Sequence, residues 1–324
     1  MKNILVVGGA GYIGSHTLKH LLDNNYNCIV MDNLIYGHKQ AIDKRAKFIH
    51  ADLLDTFSLT NVFKQEKIDA LVHFAAFAYV GESVVNPAKY YQNNVVGTIN
   101  LLNAMLENNV KDIVFSSTCA TYGEPQYTPI DEKHPQNPIN AYGRTKLMIE
   151  QVFVDYEKAY GLRHISLRYF NAAGASKDGL IGESHEPETH LIPLVLKAIK
   201  GEIPAINIFG NDYDTEDGTC IRDYIHVEDL ALAHRLALEN LHKFSGCINL
   251  GTGIGTSVKE IISAAEIVSG KKCPINYAPR REGDPARLYA DNKKAKEILS
   301  WEAKYTDIKD IIKSAWGWEN NRKY

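Results

Sequence analysis

Three glycines spaced as GxxGxxG (Gly8, Gly11 and Gly14) follow directly on the apolar run Asn3–Val7 and lead into the amphipathic stretch Ser15–Asn24. A strand that turns through glycine into a helix restricts what the chain can build. Gly8 permits the tight turn, Gly11 the close approach of a pyrophosphate, and Gly14 close packing of helix on strand. The N–H groups and dipole at the helix start favour negative charge there. Glycine turns also serve plain packing, so the triplet gains weight only from its strand–turn–helix context, which is met.

The same alternation continues. Asn27–Asp32, Phe48–Ala51, Ala70–Ala75, Asp112–Ser116 and His164–Leu167 read as strands; Ser58–Lys67, Lys89–Asn108 and Ala141–Tyr160 read as helices between them. This predicts an α/β fold with a Rossmann-type, doubly wound parallel sheet. Near-continuous apolar strands such as ILVV and CIVM fit burial on both faces. From about Gly174 shorter elements are punctuated by Gly, Pro and acidic residues, as in GASKDGLIGESHEPETH, which suggests a smaller mixed α/β lobe with substrate-holding loops. Residues 1–173 are expected to form the dinucleotide-binding domain and 174–324 the second lobe. Segments near 225–252, with a helix around Glu228–Glu239 and the strand-like CINLGTG, are expected to return to the first.

At 324 residues the chain is longer than one core usually accommodates, which agrees with two lobes. A net charge of -3 without a basic tract argues against nucleic acid or an anionic membrane as partner. No apolar run is long enough to span a bilayer. The start MKNILVVGGAG enters a strand at once, so no signal peptide is expected. Five dispersed cysteines suit a reducing compartment, the cytoplasm. The twelve histidines are scattered without metal-ligand spacing, and no metal is expected.

The second strand ends in Asp32, followed by Asn33. A carboxylate there accepts the adenosine ribose hydroxyls and repels a 2′-phosphate, which favours NAD over NADP; as an alternative, Asp32 is a turn cap. Asp52 suits either the adenine amino group or the N-cap of the next helix. Phe74–Ala78, with its small alanines Ala75 and Ala76, lets a cofactor approach. Tyr142 and Lys146, four apart in NAYGRTKLMIEQ, share one helix face. A free phenol has a pKa near ~10, too high for a base at neutral pH. The Lys146 ammonium and a positive nicotinamide ring are expected to lower it, so that Tyr142 serves as acid/base. An isolated YxxxK equally describes a surface pair. The hydroxyls of Ser116, Ser117 and Thr118 at the end of strand five, with the glycines and Asp32 in order, argue against that.

GGAGYIGSH (8–16), HFAAFAYVGESV (73–84), YYQNNVVGT (90–98), FSSTCATYG (115–123), AYGRTK (141–146), RYFNAAGA (168–175), IFGNDYDTEDGTCIRDYIHVEDLA (208–231) and RREGD (280–284) together resemble the extended short-chain dehydrogenase/reductase family, in its sugar-nucleotide epimerase branch. The resemblance covers essentially the whole chain. It implies tightly bound NAD, a UDP-hexose substrate and a homodimer joined through helices 89–108 and 141–160. Thr118 and Tyr142 would face the sugar 4-OH, with Lys146 in support. The cofactor set would add Tyr12, Ile13, Leu53, Asn93, Ser116 and Phe170 to the residues above. Asn171, His190, Leu191, Asn207, Phe209, Arg222, Tyr224, Arg281, Asp284 and Leu288 would bind the nucleotide sugar. Arginines suit a diphosphate because the guanidinium fork matches its oxygens; surface ion pairs are the alternative for Arg222, Arg281 and Asp284. Thr118 replaces a common serine and His190 a common asparagine.

The activity implied is 4-epimerisation of UDP-glucose and UDP-galactose by reversible hydride transfer through a 4-ketopyranose. Leu288 bounds the sugar pocket and is smaller than the tyrosine that disfavours N-acetyl groups, so UDP-N-acetylglucosamine or UDP-xylose/UDP-arabinose are alternative substrates. A 4,6-dehydratase needs an extra acid and base after the threonine, where this chain has Cys119 and Ala120. Oxidation at C6 would call on Cys119 as nucleophile. A non-enzymatic dinucleotide sensor would typically lack the tyrosine or the lysine.

Overall fold

The computed structural model describes residues 2–281 and 283–324. The first half of the chain runs β1 (Asn3–Val7), α1 (Tyr12–Asp23), β2 (Asn27–Asp32), β3 (Lys47–His50), α2 (Thr56–Gln65), β4 (Ala70–His73), α3 (Val80–Val85), α4 (Pro87–Tyr90), α5 (Gly97–Glu107), β5 (Asp112–Thr118), α6 (Ala141–Tyr160) and β6 (Arg163–Tyr169). After it come β7 (Asn171–Ala173), α7 (Leu191–Lys200), β8 (Ile206–Phe209), β9 (Ile221–His226), α8 (Val227–Asn240) and β10 (Gly246–Leu250). The last elements are β11 (Gly255–Ser257), α9 (Val258–Ser269), β12 (Ile275–Ala278), β13 (Arg287–Leu288), α10 (Lys293–Leu299) and α11 (Ile308–Asn320).

The doubly wound sheet is present. Seven parallel strands lie in the order β10-β6-β5-β4-β1-β2-β3. The order reverses between β1 and β4, which opens a crevice at the carboxyl ends of the strands, where such sheets bind ligands. Strand alternation sends Ile4 and Val6 into one core with α1 and α8, and Leu5 and Val7 into the other with α2, α5 and α6. The chain passes from β6 to β7 through Phe170 alone. β7 pairs with β9, which joins β11 and β13 in a second sheet, and α7, α9 and α11 pack around a third core. Segment 227–250 contributes α8 and β10 to the first sheet's layers.

Several boundaries differ from the sequence expectation. α1 begins at Tyr12 because Gly11, extended at φ -78° and ψ 173°, takes the N-cap position. β4 stops at His73, since the amides of Phe74 and Ala75 both donate to the Val7 carbonyl and turn the chain away. β5 runs on to Thr118, paired with Tyr169. The single helix expected over 89–108 is broken: a π-helical turn, Tyr91–Val96, separates α4 from α5. Such turns gather at functional sites because they re-aim side chains. This one presents Asn93 to the cavity described below and buries Asn94.

The core also sets a pH dependence. Burial pushes His16, His226 and His234 down to about 4, and His73 down to about 3. Between those values and the ordinary 6.5 the unfolded chain binds protons that the folded chain does not, so stability is present above about 6.5 and is lost as pH falls. The urea midpoint is expected to drop between pH 7 and pH 5. His234→Gln, which removes one such imidazole, is expected to flatten that slope; an unchanged slope would put the acid sensitivity elsewhere.

Candidate active site

Every residue the sequence singled out for cofactor or substrate lines one cavity of about 1240 Å³ between the sheet's carboxyl edge and the second lobe. Its first wall is the glycine turn. Gly8 has φ +81°, and a Cβ there would stand 2.5 Å from the Ala75 amide nitrogen; a Cβ at Gly14 would strike the Gly8 carbonyl. With side chains excluded, the first-turn amides of α1 face the cavity without acceptors of their own. Asp32 accepts from Ala10 N (3.0 Å) and Leu34 N (2.8 Å), which fix its carboxylate at the strand end. It is therefore more than a turn cap: it also lines the cavity. Asp52 is not the cap of α2; Asp55 is, accepting from Ser58 N. Asp52 instead accepts from Asn33 Nδ2 (2.7 Å) and Leu54 N (2.8 Å). Tyr12, Ile13, Leu53, Phe74, Ala75, Ala76, Asn93, Ser116 and Phe170 complete this side. The cradle fits a dinucleotide with unsubstituted ribose hydroxyls: space that a Cβ would fill, helix-start amides and a fixed carboxylate in the expected sequence.

The floor carries the hydroxyls. α6 is capped by Asn140, whose side chain accepts from Gly143 N (2.8 Å). Gly143 lets the helix start press on the turn after β5, where a Cβ would sit 2.5 Å from Ala120 O. Tyr142 and Thr118 thereby meet. Burial pushes the Tyr142 phenol up to about 12, and the Thr118 hydroxyl beside it offsets part of that rise. Lys146 is buried, donates to Ser116 O (2.7 Å), and lies 5.9 Å from the centre of the Tyr142 ring. Burial brings it down to about 7, against the opposing pull of Glu150. The spacing puts both side chains on one face, as expected, and the Lys146 ammonium is in addition directed to strand five.

The far wall comes from the second lobe. Arg222 and Tyr224 project from β9, with Arg222 paired to Asp284. Arg281 lies with its guanidinium carbon 3.9 Å from the centre of the Phe209 ring. Asn171 on β7 donates to Asp223 O (3.1 Å) and is held across the second sheet. Leu191 opens α7, His190 precedes it, Asn207 is exposed on β8, and Leu288 sits on β13.

Sequence reasoning missed three supports. Asn94 bridges Phe77 and Thr145, tying the segment after β4 to α6. Tyr169 shares a hydrogen bond with Ser116. Glu150 holds Arg168 through two hydrogen bonds of 2.9 and 2.6 Å and accepts from Ser117 Oγ (2.6 Å), all of it buried. The usable signal for Glu150 was its place four residues after Lys146 on the same helix face.

Fold and cleft define a class, the extended short-chain dehydrogenase/reductase enzymes. The NAD dependent epimerase/dehydratase family model matches residues 4–251, and the chain belongs to that family. Within it the similarity is narrow. A UDP-glucose 4-epimerase of Halalkalibacterium halodurans is 53% identical, with 99% of this chain and 96% of that protein covered. The crystal structure of UDP-glucose 4-epimerase from Brucella ovis in complex with NAD is 50% identical with a TM-score of 0.95, covering 98% of this chain and 99% of that one. The UDP-Glc/GlcNAc 4-epimerase of Campylobacter jejuni is 46% identical with a TM-score of 0.88, covering 99% of both chains.

Proposed function

We infer that this chain is an NAD-dependent isomerase that interconverts UDP-glucose and UDP-galactose at C4. The observation that carries the reading is the meeting of Thr118 and Tyr142 between a dinucleotide cradle and a wall bearing Arg222 and Arg281. Similarity over nearly full length to UDP-glucose 4-epimerases supports the choice of reaction.

Bound NAD⁺ supplies the acceptor, and later the donor, of the C4 hydride, together with the positive ring charge that lowers the acidity cost of a buried phenol. Tyr142 Oη takes the proton of the 4-OH and returns it to the 4-ketopyranose oxygen; Thr118 Oγ1 bonds the same oxygen and holds it in line. Arg222 and Arg281 hold the diphosphate and Asp284 the uridine ribose. Anchoring at the nucleotide leaves the sugar free to turn its other face, which a change of configuration requires. Asp32 and the glycine turn keep the cofactor in place between turnovers.

The dehydratase reading fails on Cys119 and Ala120, which supply neither acid nor base. Burial pushes the Cys119 thiol up to about 12, which weighs against it as the nucleophile that oxidation at C6 needs. A second substrate reading, with UDP-N-acetylhexosamines or UDP-xylose/UDP-arabinose accepted alongside, is supported by the size of Leu288 on the cavity wall. Incubation with each nucleotide sugar, without added NAD, and separation of the products tests both. Absence of UDP-galactose interconversion would overturn the main reading.

Thr118→Ala is expected to lower kcat by about 10²-fold, within the range for a positioned proton partner, and Thr118→Ser to restore most of it. Equal losses in both would mean that the methyl, and not the hydroxyl, matters. The exposed apolar side chains Val96, Met148 and Val154 along the π turn and α6 support a homodimer through these helices, which sedimentation velocity would test. Among the described residues no helix is long and apolar enough to cross a membrane. All five cysteines are free, which supports a cytoplasmic enzyme.

A further inference from the structure

The sequence places Glu183–His190 in a substrate-holding loop, with His190 a candidate for the nucleotide sugar, and expects no metal. Folding gathers four of its side chains. One ligand atom from each of Glu183, His185, Glu188 and His190 lies within 4.8 Å of all the others. His185 Nδ1 stands 3.3 Å from Glu183 Oε1 and 3.6 Å from Glu188 Oε2. His190 Nδ1 touches Glu183 Oε1 and lies 3.8 Å from Glu188 Oε1.

We propose that Glu183, His185, Glu188 and His190 form a four-ligand structural site for a divalent transition-metal ion, Zn²⁺ in the first place, which fastens this segment beside the cavity. Tetrahedral zinc with bonds of about 2.1 Å to nitrogen and oxygen sets its ligand atoms about 3.4 Å apart. The two separations from His185 Nδ1, 3.3 and 3.6 Å, are near that value, whereas His190 Nδ1 and Glu183 Oε1 are in hydrogen-bond contact and would have to part on binding.

A second observation points to a missing partner. The Glu188 side chain is 2% exposed. Its Oε1 accepts from the amides of Thr189 (2.7 Å) and His190 (2.8 Å), which turns Oε2 inward. Among the described residues neither Glu188 Oε2 nor His185 Nδ1 has a hydrogen-bond partner. The two atoms face each other at 3.6 Å, beyond hydrogen-bond distance, and a cation between the four groups would satisfy both. The frame is also fixed from outside. Trp318 Nε1 donates to Glu183 O (2.8 Å), and the His185 ring packs edge-on against Tyr12 and Tyr79, each with centroids 6.2 Å away. Two imidazoles and two carboxylates without sulfur suit zinc above softer-ligand metals, and four protein ligands leave no open position for catalysis. Tyr12 opens the helix of the glycine turn, so the ion would join the second lobe's loop to the cofactor side.

The full chain, made without a polyhistidine tag and stripped with a chelator, is titrated with ZnCl₂ by calorimetry and with CoCl₂ by visible absorption. The expected result is one ion per chain, a tetrahedral Co²⁺ spectrum, and a higher Tm with zinc. Glu188→Gln and His185→Gln, checked for folding by circular dichroism, are expected to weaken binding beyond the roughly 10²-fold that loss of a mere supporting contact costs. A parent chain that binds no zinc, or binds Co²⁺ only with an octahedral spectrum, would reduce the cluster to an ion-pair network and overturn the proposal without reference to any variant. Unchanged affinity in either folded variant would do the same.

Discussion

Tyr142→Phe is expected to lower kcat for UDP-galactose by about 10³-fold while the purified protein keeps its NAD and its affinity for UDP. The substitution deletes one oxygen from a side chain that packs at the start of α6, and Asn140 still caps that helix. What disappears is the proton acceptor at the sugar. Lys146 cannot stand in, because its ammonium is directed to Ser116 O. Thr118 cannot either, because a hydroxyl without a base beside it does not ionise near neutral pH. Single-turnover absorbance of reduced cofactor would separate the two roles: binding intact and reduction absent. Turnover near the parent rate would remove Tyr142 from the reaction.

Glu150→Ala is expected to destabilise the chain by about 3–5 kcal/mol, since it leaves the Arg168 guanidinium buried without its counter-ion. Glu150 and Arg168 are each about 5% exposed or less, and the arginine's remaining partner is the Tyr122 hydroxyl at 2.9 Å. Urea midpoints would read the loss. The double variant Glu150→Leu/Arg168→Met is expected to regain much of it, because removing both charges leaves no orphan. A single-variant loss below about 1 kcal/mol would mean that water reaches the arginine, as it does at exposed pairs. Glu150 also supports the charged form of Lys146, so the variant's activity profile should shift with it.

The fold and half of the cavity were legible because their signals are local. GxxGxxG, the acidic end of β2, the hydroxyls closing β5 and the Tyr142–Lys146 spacing each lie within one element or one turn, and strand periodicity places those elements in a sheet. The nucleotide wall was different. Asn171, Phe209, Arg222, Arg281 and Leu288 come from separate strands and loops, and no spacing links them; only the family resemblance did. Pairings across the fold were invisible for the same reason, as with Arg222 and Asp284, 62 residues apart. The burial of Lys146 and its bond to Ser116 O were out of reach, because helical spacing reports a shared face and nothing of what else that face meets. The π turn escaped because its sequence, YQNNVV, carries no breaker, and tertiary bonds from Asn94 decide its register.

The chain's path between the seven-stranded sheet and the second lobe has a further consequence. β10 is laid against β6 only after the polypeptide has visited the other lobe, and α10 returns to α8 later still. A fragment cut at residue 173 would carry β6 as an uncovered edge, open to pairing with other molecules. Neither half is thus a module that evolution or an engineer can exchange whole, and new specificities on this scaffold have to come through loop replacement.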